Sequence, residues 1–287
     1  MKIALNGWLS GFIGVMIFAG SLPATRAAIG GFDPLFLTCA RATIAALLGG
    51  ALLMVLRQKR PALTDIPALA ITALGVVVGF PLLTALAVQH ISSARSMVFL
   101  GLLPMSTAIF AVLRGGERPR PVFWLFSLAG SAIIAGYALG GTAGNMMAGD
   151  VLMIAAIILC GLGYAEGAKL SRRLGGWQVI SWALLVAVPV MLPAAIYTAP
   201  ATFSGIAMPA WLGLAWVSVF SMLIGFIFWY HGLAKGGIAA VGQLQLIQPF
   251  MGFALAALLL HESISWAMLA VAGATIMCVF GAKRYAS

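Results

Sequence analysis

The 287-residue chain is 63% hydrophobic and 8% charged, with a mean hydropathy of +1.10; a soluble domain carries roughly a quarter of its residues charged, so this chain cannot cover a water-facing surface and its solvent must be lipid. The net charge of +10 does not point to nucleic acid, because the basic residues fall in short clusters between apolar runs and form no stripe. Cys39, Cys160 and Cys278 lie far apart in apolar stretches, with no Cys-x-x-Cys and no Cys/His grouping, which excludes a disulfide framework and a zinc site; no metal and no cofactor is expected.

A membrane-spanning helix needs about 20 apolar residues. Reading between Gly, Pro and charge breaks predicts ten such helices: 6–26, 34–56, 66–89, 93–113 and 120–140, then 148–168, 177–198, 209–230, 238–260 and 264–282. The fold class is therefore an all-α integral membrane protein. Lys2 followed by an apolar run to Ala24 imitates a signal peptide, but nine more spans follow, so it is read as the first helix. Gly75/Gly79 and Gly232/Gly236 have the small-xxx-small spacing that lets helix backbones approach. Such pairs are common in any glycine-rich membrane chain.

The chain repeats itself at an offset of 145 residues. Pro104 and Glu117 recur as Pro249 and Glu262, Gly30-Gly31 as Gly175-Gly176, Ala94 as Ala239, and Gly136 as Gly281. The expected organisation is a five-helix repeat over 1–142 and a second over 146–287, forming one transport unit.

Charge sets the orientation. Of the 16 Lys and Arg, 13 fall on one side of the predicted spans: Lys2; Arg57, Lys59 and Arg60; Arg114, Arg118 and Arg120; Lys169, Arg172 and Arg173; Lys235; Lys283 and Arg284. Arg26 and Arg95 take the other side, and Arg41 lies inside the second span. The positive-inside rule puts both termini in the cytoplasm. Five is an odd number, so the second repeat enters the membrane upside down. Inverted repeats suit alternating access about a site near the midplane.

These features carry a resemblance. Ten spans in two repeats, the prolines Pro104 and Pro249, and the acidic turns Gly116-Glu117-Arg118-Pro119 and His261-Glu262-Ser263 resemble the drug/metabolite transporter superfamily, EamA type, over essentially the whole chain. Within it the chain looks most like the bacterial aromatic amino acid exporters of the YddG type. The resemblance implies a central cavity between the halves, lined by helices 1, 3, 4, 6, 8 and 9, with helices 5 and 10 peripheral.

Pro104 and Pro249 fall near the middle of their spans, where each would kink its helix and free the carbonyl four residues back, those of Leu100 and Gln245. These carbonyls are candidate acceptors for a substrate amine, the alternative being kinks that serve packing. Gln245 and Gln248 share a helix face and are candidate binding groups for a zwitterion, or interhelical glue. Phe18, Phe80, Phe99 and Tyr164 are candidates to stack on an apolar or aromatic solute. Trp229 and Tyr230, at the end of the eighth span, are read as interface anchors.

Charge inside a membrane is a functional signal. Arg41 is expected to snorkel outward or pair with Asp33, and Glu166 to pair with Lys169 one turn away; all three basic and acidic groups, Arg41, Glu166 and Lys169, are also gating candidates. No Asp or Glu falls at a predicted span centre, and His90, His231 and His261 fall at span ends. Obligatory proton coupling is therefore not expected. The function expected is export of small neutral metabolites, foremost amino acids with aromatic and hydrophobic side chains, across the inner membrane. The partners expected are the solute and the bilayer, with no nucleic acid and no required protein. The alternatives are a proton-coupled exporter of lipophilic drugs or other neutral metabolites and, more distantly, a membrane enzyme; no HExxH, GxSxG or deep carboxylate pair supports the latter.

Overall fold

The computed structural model describes residues 5–91, 96, 99–139, 147–248, 250–252 and 266–286. Among these no strand occurs. We number the helices α1 Gly7–Ala19, α2 Ser21–Ile29, α3 Pro34–Val55, α4 Ile66–Thr72, α5 Phe80–His90, α6 Leu103–Leu113, α7 Pro121–Leu139, α8 Met147–Leu174, α9 Gly176–Tyr197, α10 Met208–Ala215, α11 Gly225–Gly236, α12 Ile238–Gly242 and α13 Trp266–Arg284. Local chemistry sets several starts. The Asn6 side chain accepts from the Leu9 amide at 2.7 Å, and Asp33 accepts from the amides of Leu35 and Phe36 ahead of Pro34 in the first turn of α3.

Six helical stretches are long and apolar enough to cross a bilayer: Gly7–Ile29, Pro34–Val55, Leu63–His90, Ala148–Leu174, Gly176–Tyr197 and Met208–Gly236. They match the first, second, third, sixth, seventh and eighth predicted spans. Leu103–Leu113 and Pro121–Ile133 are shorter apolar helices. The fourth and ninth predicted spans fall partly outside the described residues. Large apolar side chains such as Leu47, Met54, Leu125, Val190 and Met277 are exposed on the bundle exterior, as in a protein whose outer solvent is hydrocarbon.

The two halves interleave. α1 packs on α11, α2 on α10, α3 on α9, α5 and α6 on α8, α6 on α12, and α7 on α13. In each pair the first helix lies in the first half and the second in the second. Backbone contact makes two of these crossings tight. A Cβ on Gly75 would meet the Leu159 carbonyl oxygen at 2.5 Å and Gly163 Cα at 2.7 Å, and one on Gly232 would meet Gly11 N at 2.6 Å. Both small-xxx-small pairs of the sequence thus face a helix of the opposite half.

α4 and α5 are joined by a π-helical segment, Ala73–Gly79, and α10 and α11 by another, Trp216–Ile224. In the first, the Phe80 amide donates to the Gly75 carbonyl; in the second, the Gly225 amide donates to the Phe220 carbonyl. These two wide turns stand 145 residues apart, the same offset as the recurring prolines and glycines of the sequence. π-turns cost hydrogen-bond geometry and gather at functional sites.

Pro104 differs from its expected place. It does not kink a continuous helix. A turn at Gly101-Leu102 interrupts the chain, and α6 restarts at Leu103 with Pro104 in its first turn, where a missing amide costs nothing. The Gly101 carbonyl accepts from Ser131 Oγ on α7 at 2.8 Å, so the opening is closed by protein. Pro249 lies outside the described residues.

Candidate functional site

A partly enclosed cavity lies between the halves, with one residue of each π-segment, Val76 and Ser221, in its lining. From the first half it is lined by Phe18, Ser21, Leu22 and Thr25 of α1–α2, Arg41 of α3, Val76 of the first π-helical segment, Phe80, Pro81 and Thr84 of α5, and Leu100 and Leu103 around the break before α6. The second half supplies Tyr164, Ser221, Phe226 and Gln248. Val76 and Ser221 stand 145 residues apart in the sequence. The free volume is about 40 Å3, room for roughly two or three waters.

The walls differ in chemistry. One is aromatic: Phe18 and Phe226 have ring centroids 5.0 Å apart, Tyr164 and Trp229 5.3 Å, Phe226 and Tyr230 5.4 Å. Trp229 and Tyr230 are fully buried, not interfacial anchors, and the Tyr230 hydroxyl donates to the Gly163 carbonyl at 3.0 Å. They misled the sequence reading because the span runs on to Gly236, which places both rings mid-helix, covered by α1 and α8, whose glycines admit them. The other wall is polar. Ser21 and Ser221 hydroxyls meet at 2.7 Å, and Arg41 Nη2 donates to Ser221 Oγ at 3.4 Å. Arg41 is 7% exposed. It neither snorkels nor pairs with Asp33, which is occupied with the start of α3.

Beyond the aromatic wall, toward the ends of α8 and α11 that carry the basic residues, ion pairs join the halves. Arg114 pairs with Glu166, Arg172 with Glu117 at 2.6 Å, and Arg173 with Asp65. Glu117 also accepts from the amides of Ile238 and Ala239 at 2.8 Å each, capping α12. Each of these three pairs has one partner in each half. Glu166 is buried and Lys169 is exposed; the nearest cation to Glu166 in sequence is thus not its partner. No group of three or more metal-ligating side chains occurs among the described residues.

The EamA-like transporter family matches residues 5–139 and again residues 147–282. The chain belongs to that family. It is 62% identical over 286 residues, the whole of both chains, to the "Uncharacterized transporter YdeK" of Bacillus subtilis. It is 25% identical over 258 residues, 87% of this chain and 84% of the other, to the "Probable terminal-alkyne amino-acid exporter" of Streptantibioticus cattleyicolor. A solved structure titled "Crystal structure of protein" shares the fold, with a TM-score of 0.77, 18% identity and coverage of 98% and 97%. The family is one of transporters, so the chain is a membrane transporter of the drug/metabolite type and not an enzyme.

Among the residues singled out from the sequence of this EamA-type chain, Phe18, Phe80, Leu100, Tyr164, Gln248 and Arg41 line this cavity together. Phe99 is half-buried against the core, Pro104 is buried beside the cavity and does not line it, and Gln245 is buried with neither amide atom hydrogen-bonded. Gln248 Nε2 donates to the Phe18 carbonyl at 3.4 Å, tying α1 to the second half. Sequence reasoning passed over Thr25, Thr84, Ser21, Ser221 and Phe226. The available signal was hydroxyl side chains inside strongly apolar spans, where they need partners or water.

Proposed function

We propose that the chain exports small neutral metabolites, foremost amino acids with aromatic or hydrophobic side chains, across the inner membrane by alternating access at this cavity. The carrying observation is its two-faced lining: aromatic rings on one wall, hydroxyls and a cation on the other, set at the seam of the halves. An amino acid has the same two faces. The similarity to a protein described as an amino-acid exporter supports the reading. The cavity must widen to take a whole solute, which suits a carrier more than a fixed pore.

Ten spans in two inverted repeats, with both termini cytoplasmic, complete the proposal. The inter-half packing supports it. First-span helices α1–α2 meet eighth-span helices α10–α11, and third-span α5 meets sixth-span α8, while second meets seventh and fifth meets tenth. Exchanging the halves leaves this pattern unchanged, as a pseudo-two-fold requires. The ion pairs on the basic side are read as a latch that holds the cytoplasmic end shut. No carboxylate lines the cavity among the described residues, which supports transport without obligatory proton coupling.

The test is efflux from liposomes loaded with labelled amino acids. Exit of aromatic and aliphatic amino acids through the protein is expected; exit of none of them overturns the amino acid reading.

A further inference from the structure

Arg41 comes from the second span, an element outside the helix set that the family resemblance assigns to the cavity, and it reaches the cavity all the same. It sits seven residues after Pro34, about 10 Å along the helix. A cation at such depth is expected to face a partner. Arg41 faces almost none. Its hydrogen bond is the long contact with Ser221, and Nε has no partner. The nearby carboxylate of Asp33 is held by two backbone amides, while Asp65, Glu117 and Glu166 are spent on Arg173, Arg172 and Arg114. No carboxylate lines the cavity among the described residues. The Thr84 hydroxyl, in the same lining, is also buried and unpartnered.

Resting on the export reading above, we infer that Arg41 is the anchor for a carboxylate that every transported solute must carry. A guanidinium is a planar fork that matches a carboxylate through two parallel hydrogen bonds, and it is more weakly hydrated than an ammonium, so it suits a dry pocket. Ser221, which accepts from Arg41 and is linked to Ser21, and Thr84 of the same lining add hydroxyls to the cavity. Phe18, Tyr164 and Phe226 then meet the solute's side chain. The α-ammonium has no anionic partner among the described lining residues and is left to aromatic faces and backbone carbonyls. The carboxylate is thus the required element and the ammonium the dispensable one. Amines and lipophilic cations, which would place a second positive charge beside Arg41, are excluded.

The experiment uses the full chain in liposomes, with matched solutes on several side chains: the amino acid, its carboxamide, the deaminated acid and the decarboxylated amine. The parent is expected to prefer each acid over its carboxamide by roughly ten- to a hundredfold, and to accept the deaminated acid. In Arg41→Gln this preference is expected to fall to about one while the carboxamide still moves, and Arg41→Lys is expected to keep part of it. A structural role would lower acid and carboxamide transport together and leave their ratio in place, which overturns the inference. A parent that moves carboxamides or amines as well as acids also overturns it, leaves the export reading standing, and does not depend on any variant folding. A parent that moves no solute of the panel overturns the export reading and this inference with it.

Discussion

Glu117 and Arg172 meet at 2.6 Å across the boundary between the halves, and the same carboxylate caps α12 through two further hydrogen bonds. One side chain of the first half therefore fixes both the end of α8 and the start of α12. The two partners are unequal. Arg172 is 41% exposed and Glu117 16%. Glu117→Ala is expected to cost about 1–3 kcal/mol, since two backbone amides lose their acceptor. Arg172→Ala is expected to cost about 0.2–1 kcal/mol, as for exposed ion pairs. Thermal unfolding of the purified variants in detergent checks the order; equal losses would show that the cap contributes nothing.

The three cross-half pairs also carry a prediction about access. Arg172→Glu combined with Arg173→Glu places like charges opposite Glu117 and Asp65 and is expected to open the basic end. A cysteine introduced at cavity residue Leu103 should then become reactive to a membrane-impermeant maleimide from that side and remain protected in the otherwise unaltered chain. Unchanged protection would argue that the aromatic wall alone closes the path.

The close crossing of α5's π-segment with α8 predicts steric intolerance. Gly75→Leu forces a side chain into the Leu159 carbonyl and Gly163 and is expected to destabilise by about 1–3 kcal/mol or more. Gly136→Leu, which meets nothing within 4 Å, should be neutral. Monodispersity and Tm on size-exclusion and thermal profiles separate the two.

Orientation is testable without function. Single cysteines at exposed Arg60 and Ser204, which the repeat reading places on opposite sides of the membrane, should label from opposite faces of intact vesicles. Labelling from one face would remove the inverted topology.

Coupling follows from the cavity's charge. Efflux is expected to be unaffected by an imposed pH gradient, because no acidic group lines the cavity among the described residues and Glu166 is bound to Arg114. Concentrative movement driven by such a gradient would show a proton site that the described lining does not contain.

The sequence made the apolar spans legible because hydropathy is local along the chain. Phe18, Phe80, Tyr164 and Gln248 could be picked out because their spans were ones the family resemblance places around a cavity. Arg41 could not be placed. A lone arginine seven residues into a span can turn outward to water or inward to a cavity, and only the rotation of α3 against α9 decides. Glu166 was matched to Lys169 by helical spacing, yet its partner Arg114 lies 52 residues earlier, in the other half. Spacing along one helix says nothing about a partner across an interface. Trp229 and Tyr230 failed for the same reason: the end of a span reads as exposed unless its neighbours are known.

The two wide turns at Ala73–Gly79 and Trp216–Ile224 set the phase of everything that follows them. Each accommodates an additional residue, and one residue in an α-helix corresponds to a rotation of about 100°. The faces of α5 and α11 that reach the cavity, carrying Phe80 and Thr84 on one side and Phe226 on the other, are therefore aimed by backbone bookkeeping upstream of them. Deleting one residue from either segment would straighten the rod and swing those side chains toward lipid without altering a single one of them.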